Sequence, residues 1–364
     1  MKAVAVFPKS GEVKVIDVPE PRLGSPTQVR VRTLEVGVCG TDREVVQGKH
    51  GKPPEGEDHL IVGHECLGEV VEVGAQVKDL APGDLVVPRV RQPCRDGGCL
   101  PCRSGYADFC VTGEYTERGI QGAHGFAAEY FVEDVASLHK VPRELRGVAV
   151  LTEPLTIAEK ALREVAHVQT RMPWQRRAPG KAVVLGSGPV GLLGAMALMR
   201  AGFQTTVYSR SPKPNPKAEA AESLGAAYVS SKQHPVDALV RQRGRADVVY
   251  EAAGSASAAF EVIKALAPNG VYVFTGVPES EEGELDEGVL MKQLVMNNQV
   301  LIGTVNAAAE DFESAVENLG RFRTKWPGGL ERLITARHPP EAYAEVVTGD
   351  KRSDIKDVIV FSRG

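Results

Sequence analysis

The sequence predicts a two-domain α/β protein, in which a barrel-like β domain is joined to a doubly wound parallel sheet. Short β segments, broken by Gly and Pro, fill the chain through residue 88. From residue 181 to residue 303, strand-like segments alternate with helical ones, as a parallel sheet requires. A chain of 364 residues is also longer than a domain with a single hydrophobic core usually is, so two domains are expected.

The first part of the chain shows the pattern of a half-buried sheet. Residues 29–36 alternate apolar and polar side chains, which is typical of a strand with one face on a core. Gly74 and the Pro-Gly-Asp at 82–84 are turn signals, and they separate further strands at 69–73 and 85–87. No helix is expected before residue 88.

A helix-like stretch at 153–166 and a Pro- and Arg-rich joint at 172–179 indicate a change of domain. A last strand is expected at 358–361. The predicted domains are residues 1–155 with 310–364 for the β part, and 156–309 for the parallel sheet.

Composition excludes several classes of protein. Apolar residues make up 43%, charged residues 25%, and the net charge is -4, without the basic bias of proteins that bind nucleic acid or anionic membranes. The apolar start of the chain is interrupted at Pro8, too early for a signal peptide, and no run approaches transmembrane length. We expect a cytoplasmic protein with reduced cysteines, of which Cys66 is a small buried hydrophobe.

A glycine-rich turn follows the apolar strand at 181–185 and opens an apolar helix. In that context the glycine pattern predicts a dinucleotide site. Gly186 makes the tight turn, Gly188 lets the backbone approach a pyrophosphate, and Gly191 lets the helix pack on the strand. The residues expected at the cofactor are Gly186, Ser187, Gly188, Pro189, Val190 and Gly191.

The next strand ends without the carboxylate that usually holds the ribose hydroxyls of NAD, because residues 203–218 contain no Asp or Glu. Ser209, Arg210 and Lys213 instead offer a hydroxyl and positive charge to a 2′-phosphate. NADP is therefore favoured, with NAD as a second cofactor. The alternative is that both cations are solvated loop charges.

Sulfur, nitrogen and carboxylate donors suited to zinc come together around Cys39 and His64. A catalytic zinc takes three protein ligands and leaves one position open, and either Glu65 or Glu153 completes the set. Taken singly, the cysteine and the histidine would be ordinary buried residues.

Two neighbours of Cys39 supply further parts of an alcohol site. Thr41 has a hydroxyl that passes a proton, and Asp42 has a carboxylate that orients a ligating imidazole. Together with His64 they are the predicted catalytic residues.

A second set of donors has the spacing of a closed, structural zinc site. Its members are Cys94, Cys99, Cys102 and Cys110, with four, two and seven residues between them. Free or disulfide-linked cysteines are the alternative. We expect two zinc ions per chain.

The motif Gly63-His64-Glu65, with residues 39–42 before it and the cysteine lobe after it, resembles the zinc-containing medium-chain alcohol dehydrogenases. Residues 112–126, 153–155 and 303–306 resemble the archaeal-type glucose 1-dehydrogenase branch of that family. The resemblance covers nearly the whole chain. It implies a GroES-like β-barrel catalytic domain, a Rossmann domain, and a homodimer or homotetramer.

The same resemblance implies transfer of hydride from C1 of an aldose, D-glucose foremost, to NAD(P), giving the lactone. It places Thr41, Glu114, Glu153 and Asn306 at the sugar. One departure is that the branch commonly has two residues between the first two lobe cysteines, so either Asp96 replaces Cys94 as a ligand or the loop bulges.

Two other functions stay open. The zinc and cofactor motifs serve any alcohol, so a polyol or secondary-alcohol dehydrogenase is the first. A non-catalytic NADP-binding protein on the same fold is the second, and the complete set of Cys39, His64 and Glu65 argues against it.

Overall fold

The strands expected in the first part of the chain are present in the computed structural model, which describes residues 1–174, 180–278, 285–349 and 354–362. The first part contains β1 (Lys2–Phe7), β2 (Glu12–Asp17), β3 (Gln28–Val38), α1 (Gly40–Val46), β4 (Leu60–Ile61), β5 (Glu65–Val73), β6 (Leu85–Pro88), β7 (Arg91–Gln92), α2 (Leu100–Arg103), β8 (Thr116–Arg118), β9 (Gly122–Ala123), β10 (Tyr130–Asp134), β11 (Leu138–Val141) and α3 (Thr152–Gln169).

The alternation expected after residue 180 is also present. The middle part contains β12 (Lys181–Leu185), α4 (Pro189–Arg200), β13 (Gln204–Ser209), α5 (Pro216–Ser223), β14 (Ala227–Ser230), α6 (Val236–Arg243), β15 (Ala246–Glu251), α7 (Ala256–Val262), β16 (Leu266–Phe274), α8 (Glu287–Met296) and β17 (Val300–Gly303). The last part contains α9 (Ala309–Lys325), β18 (Ile334–His338), α10 (Tyr343–Thr348) and β19 (Lys356–Val360).

Contacts divide the chain into two units. Unit 1 comprises Met1–Thr156 and Asn306–Gly364, and unit 2 comprises Ile157–Val305. These divisions lie near the predicted domain limits of 155 and 310. Residues 175–179 of the predicted joint lie outside the described residues.

A mixed sheet organises unit 1, in the order β11-β6-β5-β3-β19-β18, with β10 also paired to β3. Its central strand, β3, pairs antiparallel with both β5 and β19. Val31, Val36, Cys66 and Phe126 pack in the core on this sheet, and each is almost fully buried. The last strand of the chain therefore lies beside the strand that leads to Cys39.

The prediction that no helix occurs before residue 88 was wrong, because α1 begins directly after Cys39. The carboxylate of Asp42 accepts a hydrogen bond from the Cys39 backbone N–H at 2.8 Å, which satisfies a donor at the start of the first turn. A negative side chain there also favours the helix electrostatically. The short helix places Thr41 and Asp42 in its first turn, next to Cys39.

A parallel sheet forms unit 2, in the order β14-β13-β12-β15-β16-β17. The middle positions of its central strands are apolar, since helices cover both faces of such sheets; Val184, Val249 and Tyr272 are inaccessible to solvent. The strand order reverses between β12 and β15, and ligands of such sheets bind in the crevice at that switch point. No helix among the described residues has the length and apolar character needed to cross a membrane.

The three glycines of the turn after β12 have different surroundings. Gly186 has a φ of 108°, which side chains rarely adopt. A Cβ on Gly191 would overlap the carbonyl oxygen of Gly186, whereas a Cβ on Gly188 would meet nothing within 4 Å. Gly191 is therefore needed for packing, and Gly188 leaves open space at the start of α4.

We predict that Gly191→Ala lowers the free energy of unfolding by about 1–3 kcal/mol, the usual cost of overpacking, because backbone atoms must move. Gly188→Ala, the matched control, should leave that free energy unchanged while it weakens NADP binding. Urea unfolding and cofactor titration measure the two effects. Equal stability of the two variants would contradict the packing role of Gly191.

Candidate active site

The thiol of Cys39 and the imidazole of His64 meet in unit 1, with Sγ 3.2 Å from Nε2. Cys39 lies between β3 and α1, and His64 directly precedes β5. A carboxylate oxygen of Glu65 joins them, and the three ligand atoms lie within 4.8 Å of one another. The structure therefore brings together three of the residues predicted at a catalytic zinc.

Asp42 lies behind the imidazole. Its Oδ1 is 3.7 Å from Nδ1 of His64, while its Oδ2 is fixed by the backbone of Cys39. Burial alone would lower the pKa of His64, but the negative charges of Cys39 and Asp42 raise it well above its ordinary value. The carboxylate therefore lies at ion-pair distance from Nδ1 while Nε2 faces the thiol, which is the arrangement expected of a ligating histidine.

A lysine that the sequence did not single out completes the surroundings of Glu65. Lys356, from β19, forms an ion pair with Glu65 and donates to the carbonyl oxygen of Val38 at 3.0 Å. Its side chain is inaccessible to solvent. A Cβ on Gly37 would overlap the Glu65 carboxylate and lie 2.7 Å from Cε of Lys356, so this pair occupies the space that the glycine leaves.

Glu153, at the start of α3, also faces this cluster. Burial raises the pKa of its carboxyl to about 7, an effect that His64 opposes and Glu65 reinforces. Glu153 does not belong to the set whose ligand atoms lie within 4.8 Å. Lys356 forms an ion pair with Glu65, whereas Glu153 forms none among the described residues.

The donor set suits zinc. Sulfur, imidazole nitrogen and carboxylate oxygen are the ligands that zinc prefers in proteins. Burial raises the pKa of the Cys39 thiol and raises that of the Glu153 carboxyl to about 7, so both groups favour their protonated forms without a partner. A divalent cation bound between them would favour the thiolate and the carboxylate.

The cysteine lobe brings its predicted ligands together, because the sulfur atoms of Cys94, Cys99, Cys102 and Cys110 lie within 4.8 Å of one another. Asp96 accepts a hydrogen bond from the backbone of Gly98 at 2.8 Å and lies outside this cluster. The extra residues therefore form a turn, and Asp96 does not replace Cys94. A hydrogen bond with Thr112 lowers the pKa of Cys110 to about 6, which favours the thiolate that a metal needs.

Another group with metal-ligand chemistry, which sequence reasoning missed, consists of Glu57, His59 and His124. Nδ1 of His124 accepts a hydrogen bond from the backbone N–H of Ile61 at 3.2 Å, so the proton of the neutral ring is on Nε2. Nε2 then donates to Glu57 at 2.8 Å. This ring has no lone pair to give to a metal, and the group is a hydrogen-bonded contact between two loops.

The predicted sugar residues lie in different surroundings. Thr41 is half-buried in the first turn of α1. Glu114 is exposed, and its backbone N–H donates to the hydroxyl of Thr112. Asn306 has a left-handed φ of 59°, and its amide donates to the buried carboxylate of Glu117 at 2.8 Å. The Asn306 side chain therefore has an intramolecular partner.

The predicted cofactor residues lie along the carboxyl ends of β12 and β13. Ser187 and Ser209 share a hydrogen bond of 2.9 Å between their hydroxyls. Lys213 pairs with Glu222 at the surface. Arg210 is exposed, and within the described ranges no carboxylate pairs with its guanidinium. The structure thus leaves Arg210, rather than Lys213, as the cation open to a ligand.

Residues 146–361 match the family of the glucose dehydrogenase C-terminus, and residues 25–143 match the alcohol dehydrogenase GroES-like domain. The chain belongs to the glucose 1-dehydrogenase family. The resemblance inferred from its motifs is thereby confirmed, as is the combination of a GroES-like domain with a Rossmann domain.

Relatives from this family match over the whole chain. The glucose 1-dehydrogenase of Methanocella arvoryzae is 40% identical over 361 residues, 99% of both chains. That of Thermoproteus tenax is 42% identical over 361 residues, again 99% of both. A solved structure of Haloferax mediterranei glucose dehydrogenase in complex with NADP, Zn and gluconolactone has a TM-score of 0.91 and 38% identity, and the match covers 100% of both chains.

The geometry predicts two zinc equivalents per chain, of which Cys102→Ser removes one. In that variant, Glu153→Gln should lower the affinity for the remaining zinc ion by more than about 100-fold, because a ligand is lost. Glu65→Gln should lower that affinity by about 10- to 100-fold, because a neighbour of the ligands is lost. Chelator competition with elemental analysis measures both. Glu69→Gln, on the same strand as Glu65, is the control, and a larger loss in Glu65→Gln would assign the ligand to Glu65.

Proposed function

We propose that this protein oxidises the anomeric hydroxyl of an aldose, D-glucose foremost, to its lactone, with NADP as the hydride acceptor and zinc as the metal. The observation that carries the proposal is the contact between Cys39 and His64, with Asp42 behind the imidazole. The chemistry of the structural relative from Haloferax mediterranei, which holds NADP, Zn and gluconolactone, supports it.

The reaction removes a hydride from C1 and a proton from its hydroxyl, so that the aldose becomes the lactone and NADP⁺ becomes NADPH. Bound zinc supplies Lewis-acid stabilisation of the alkoxide. The carboxylate of Asp42 attracts the imidazolium form of His64 across 3.7 Å. Thr41, in the first turn of α1, carries the hydroxyl that passes the proton outward.

Unit 2 binds the cofactor at the turn after β12. The pyrophosphate lies at the N-terminus of α4, where Gly188 leaves open space and backbone N–H groups point outward. The 2′-phosphate binds at Ser209 and Arg210, because charge-assisted bonds from a guanidinium suit a phosphate. NAD lacks this group and serves as the weaker cofactor.

The sugar is held by Glu114, Glu153 and Asn306 in addition to Thr41. A sugar site must satisfy several hydroxyls, since a buried polar group without a partner is costly. Asn306 is held by Glu117, which the Arg91 guanidinium fixes at 3.0 Å. These contacts fix the Asn306 amide in one orientation, in which it binds a hydroxyl of the sugar.

A second copy of the chain covers an apolar surface of unit 2 in a homodimer or homotetramer. Met291, Val295 and Met296 of α8 are exposed by 69%, 65% and 72%. Strand β17 lies at the end of the sheet order, and among the described residues it pairs only with β16. Apolar patches and open edges of this kind are usually covered by another chain.

The proposed location of the protein is the cytoplasm, because free cysteines and NADP chemistry suit that reducing compartment.

A substrate panel tests the proposal. D-glucose or a close aldose should be oxidised with a far higher kcat/KM than ethanol, cyclohexanol or a polyol, and Glu114→Ala should remove most of that difference because it deletes a partner of the sugar hydroxyls. Glu55→Ala, at another exposed carboxylate of unit 1, is the control. Activity on simple alcohols or polyols with none on any aldose would contradict the sugar assignment, and binding of NADP without turnover would indicate the non-catalytic alternative.

A further inference from the structure

Strand β15 ends in the buried carboxylate of Glu251. Glu251 is exposed by only 1%. Its Oε1 accepts hydrogen bonds from the backbone N–H groups of Ala253 and Gly254, at 2.7 and 2.8 Å. Its Oε2 accepts one from Gly276, at 2.9 Å. One side chain thus holds the loop after its own strand and the loop after β16.

The two loops are packed without space between them. A Cβ on Gly276 would lie 2.5 Å from the backbone nitrogen of Gly254 and 2.9 Å from Oε2 of Glu251. The hydroxyl of Thr275 donates to the backbone carbonyl of Glu251 at 2.6 Å, which adds a further bond between the same segments. The carboxylate therefore fixes the course of both loops.

The glycine turn of the cofactor site packs against the loop after β15. A Cβ on Gly186 would lie 2.9 Å from the carbonyl oxygen of Ala252 and 3.2 Å from the nitrogen of Ala253. Leu185, Glu251 and Phe274 are paired neighbours at the ends of their strands. The loops after β12, β15 and β16 consequently meet around one carboxylate.

These loops line one side of the switch point. Adenosine binds on the β13 side, where Ser209 and Arg210 lie, so the other half of a dinucleotide lies on the side of β15 and β16. We propose that Glu251 is a positioning residue for the nicotinamide half of NADP, because its hydrogen bonds hold in place the loops that contact that half. The proposal depends on the proposed NADP-dependent function.

The chemistry requires a carboxylate at this position. An ionised carboxyl group only accepts hydrogen bonds, and here it accepts three from backbone N–H groups. A glutamine of the same shape would turn an NH₂ group towards at least one of these donors and leave it without a partner. Glu251→Gln therefore disturbs the loops without creating a cavity.

Two ligands separate this role from a general role in folding. NADP tests both halves of the site, whereas adenosine 2′,5′-bisphosphate occupies only the adenosine half. In the zinc-loaded full chain, Glu251→Gln should weaken NADP binding at least about tenfold, the loss expected when a buried donor is left unpaired, and leave the bisphosphate affinity unchanged. Glu261→Gln, at an exposed carboxylate of α7, is the matched control and should change neither.

Different results of these titrations would contradict the role of Glu251 or the proposed function. Unchanged NADP affinity in Glu251→Gln would overturn the proposal. An equal loss for both ligands would overturn it as well, because the carboxylate would then support unit 2 as a whole. Failure of the unmodified chain to bind NADP would instead contradict the proposed function, and with it this role. A rise in KM for NADP that exceeds any change in KM for glucose would support the assignment independently.

Discussion

The buried ion pair between Glu65 and Lys356, next to His64, is the constraint on which unit 1 depends. Glu65 is stable there because β19 brings Lys356 beside it and Gly37 leaves room for both side chains. A buried ion pair contributes little to stability by itself, but losing one partner is costly because it leaves an uncompensated charge. The arrangement therefore requires the last strand of the chain to lie beside β3, and it leaves Glu153 without an ion-pair partner among the described residues.

Unit 2 satisfies a different constraint, which is close approach of backbone to backbone at the carboxyl ends of its strands. Gly186 and Gly276 have no room for a side chain, and Glu251 receives the N–H groups that the bent loops would otherwise leave unpaired. The backbone at Gly188 stays accessible. The unit thus uses its own carboxylate to fix the loops, and it keeps the N-terminus of α4 available to the phosphates of the cofactor.

Sites and elements whose residues lie close together in the sequence could be predicted from it. The glycine turn, the cysteine lobe and the parallel-sheet alternation each follow from spacing alone. By contrast, Lys356 lies in an apolar terminal strand where a charged residue usually faces solvent, and only the pairing of β19 with β3 shows that it is buried. Helix α1 was missed because seven residues are too few for a periodic pattern. The support of Asn306 by Glu117 depends on folding that no short motif encodes.

Transfer of a labelled hydride tests the central claim most directly. D-glucose carrying deuterium at C1 should yield NADPH that contains the label at its nicotinamide ring and gluconolactone that contains none, because the C1 hydride passes to the cofactor. Mass spectrometry of both products measures the outcome. Unlabelled NADPH, or a sugar product that keeps deuterium at C1, would show that oxidation occurs elsewhere on the substrate and would contradict the account.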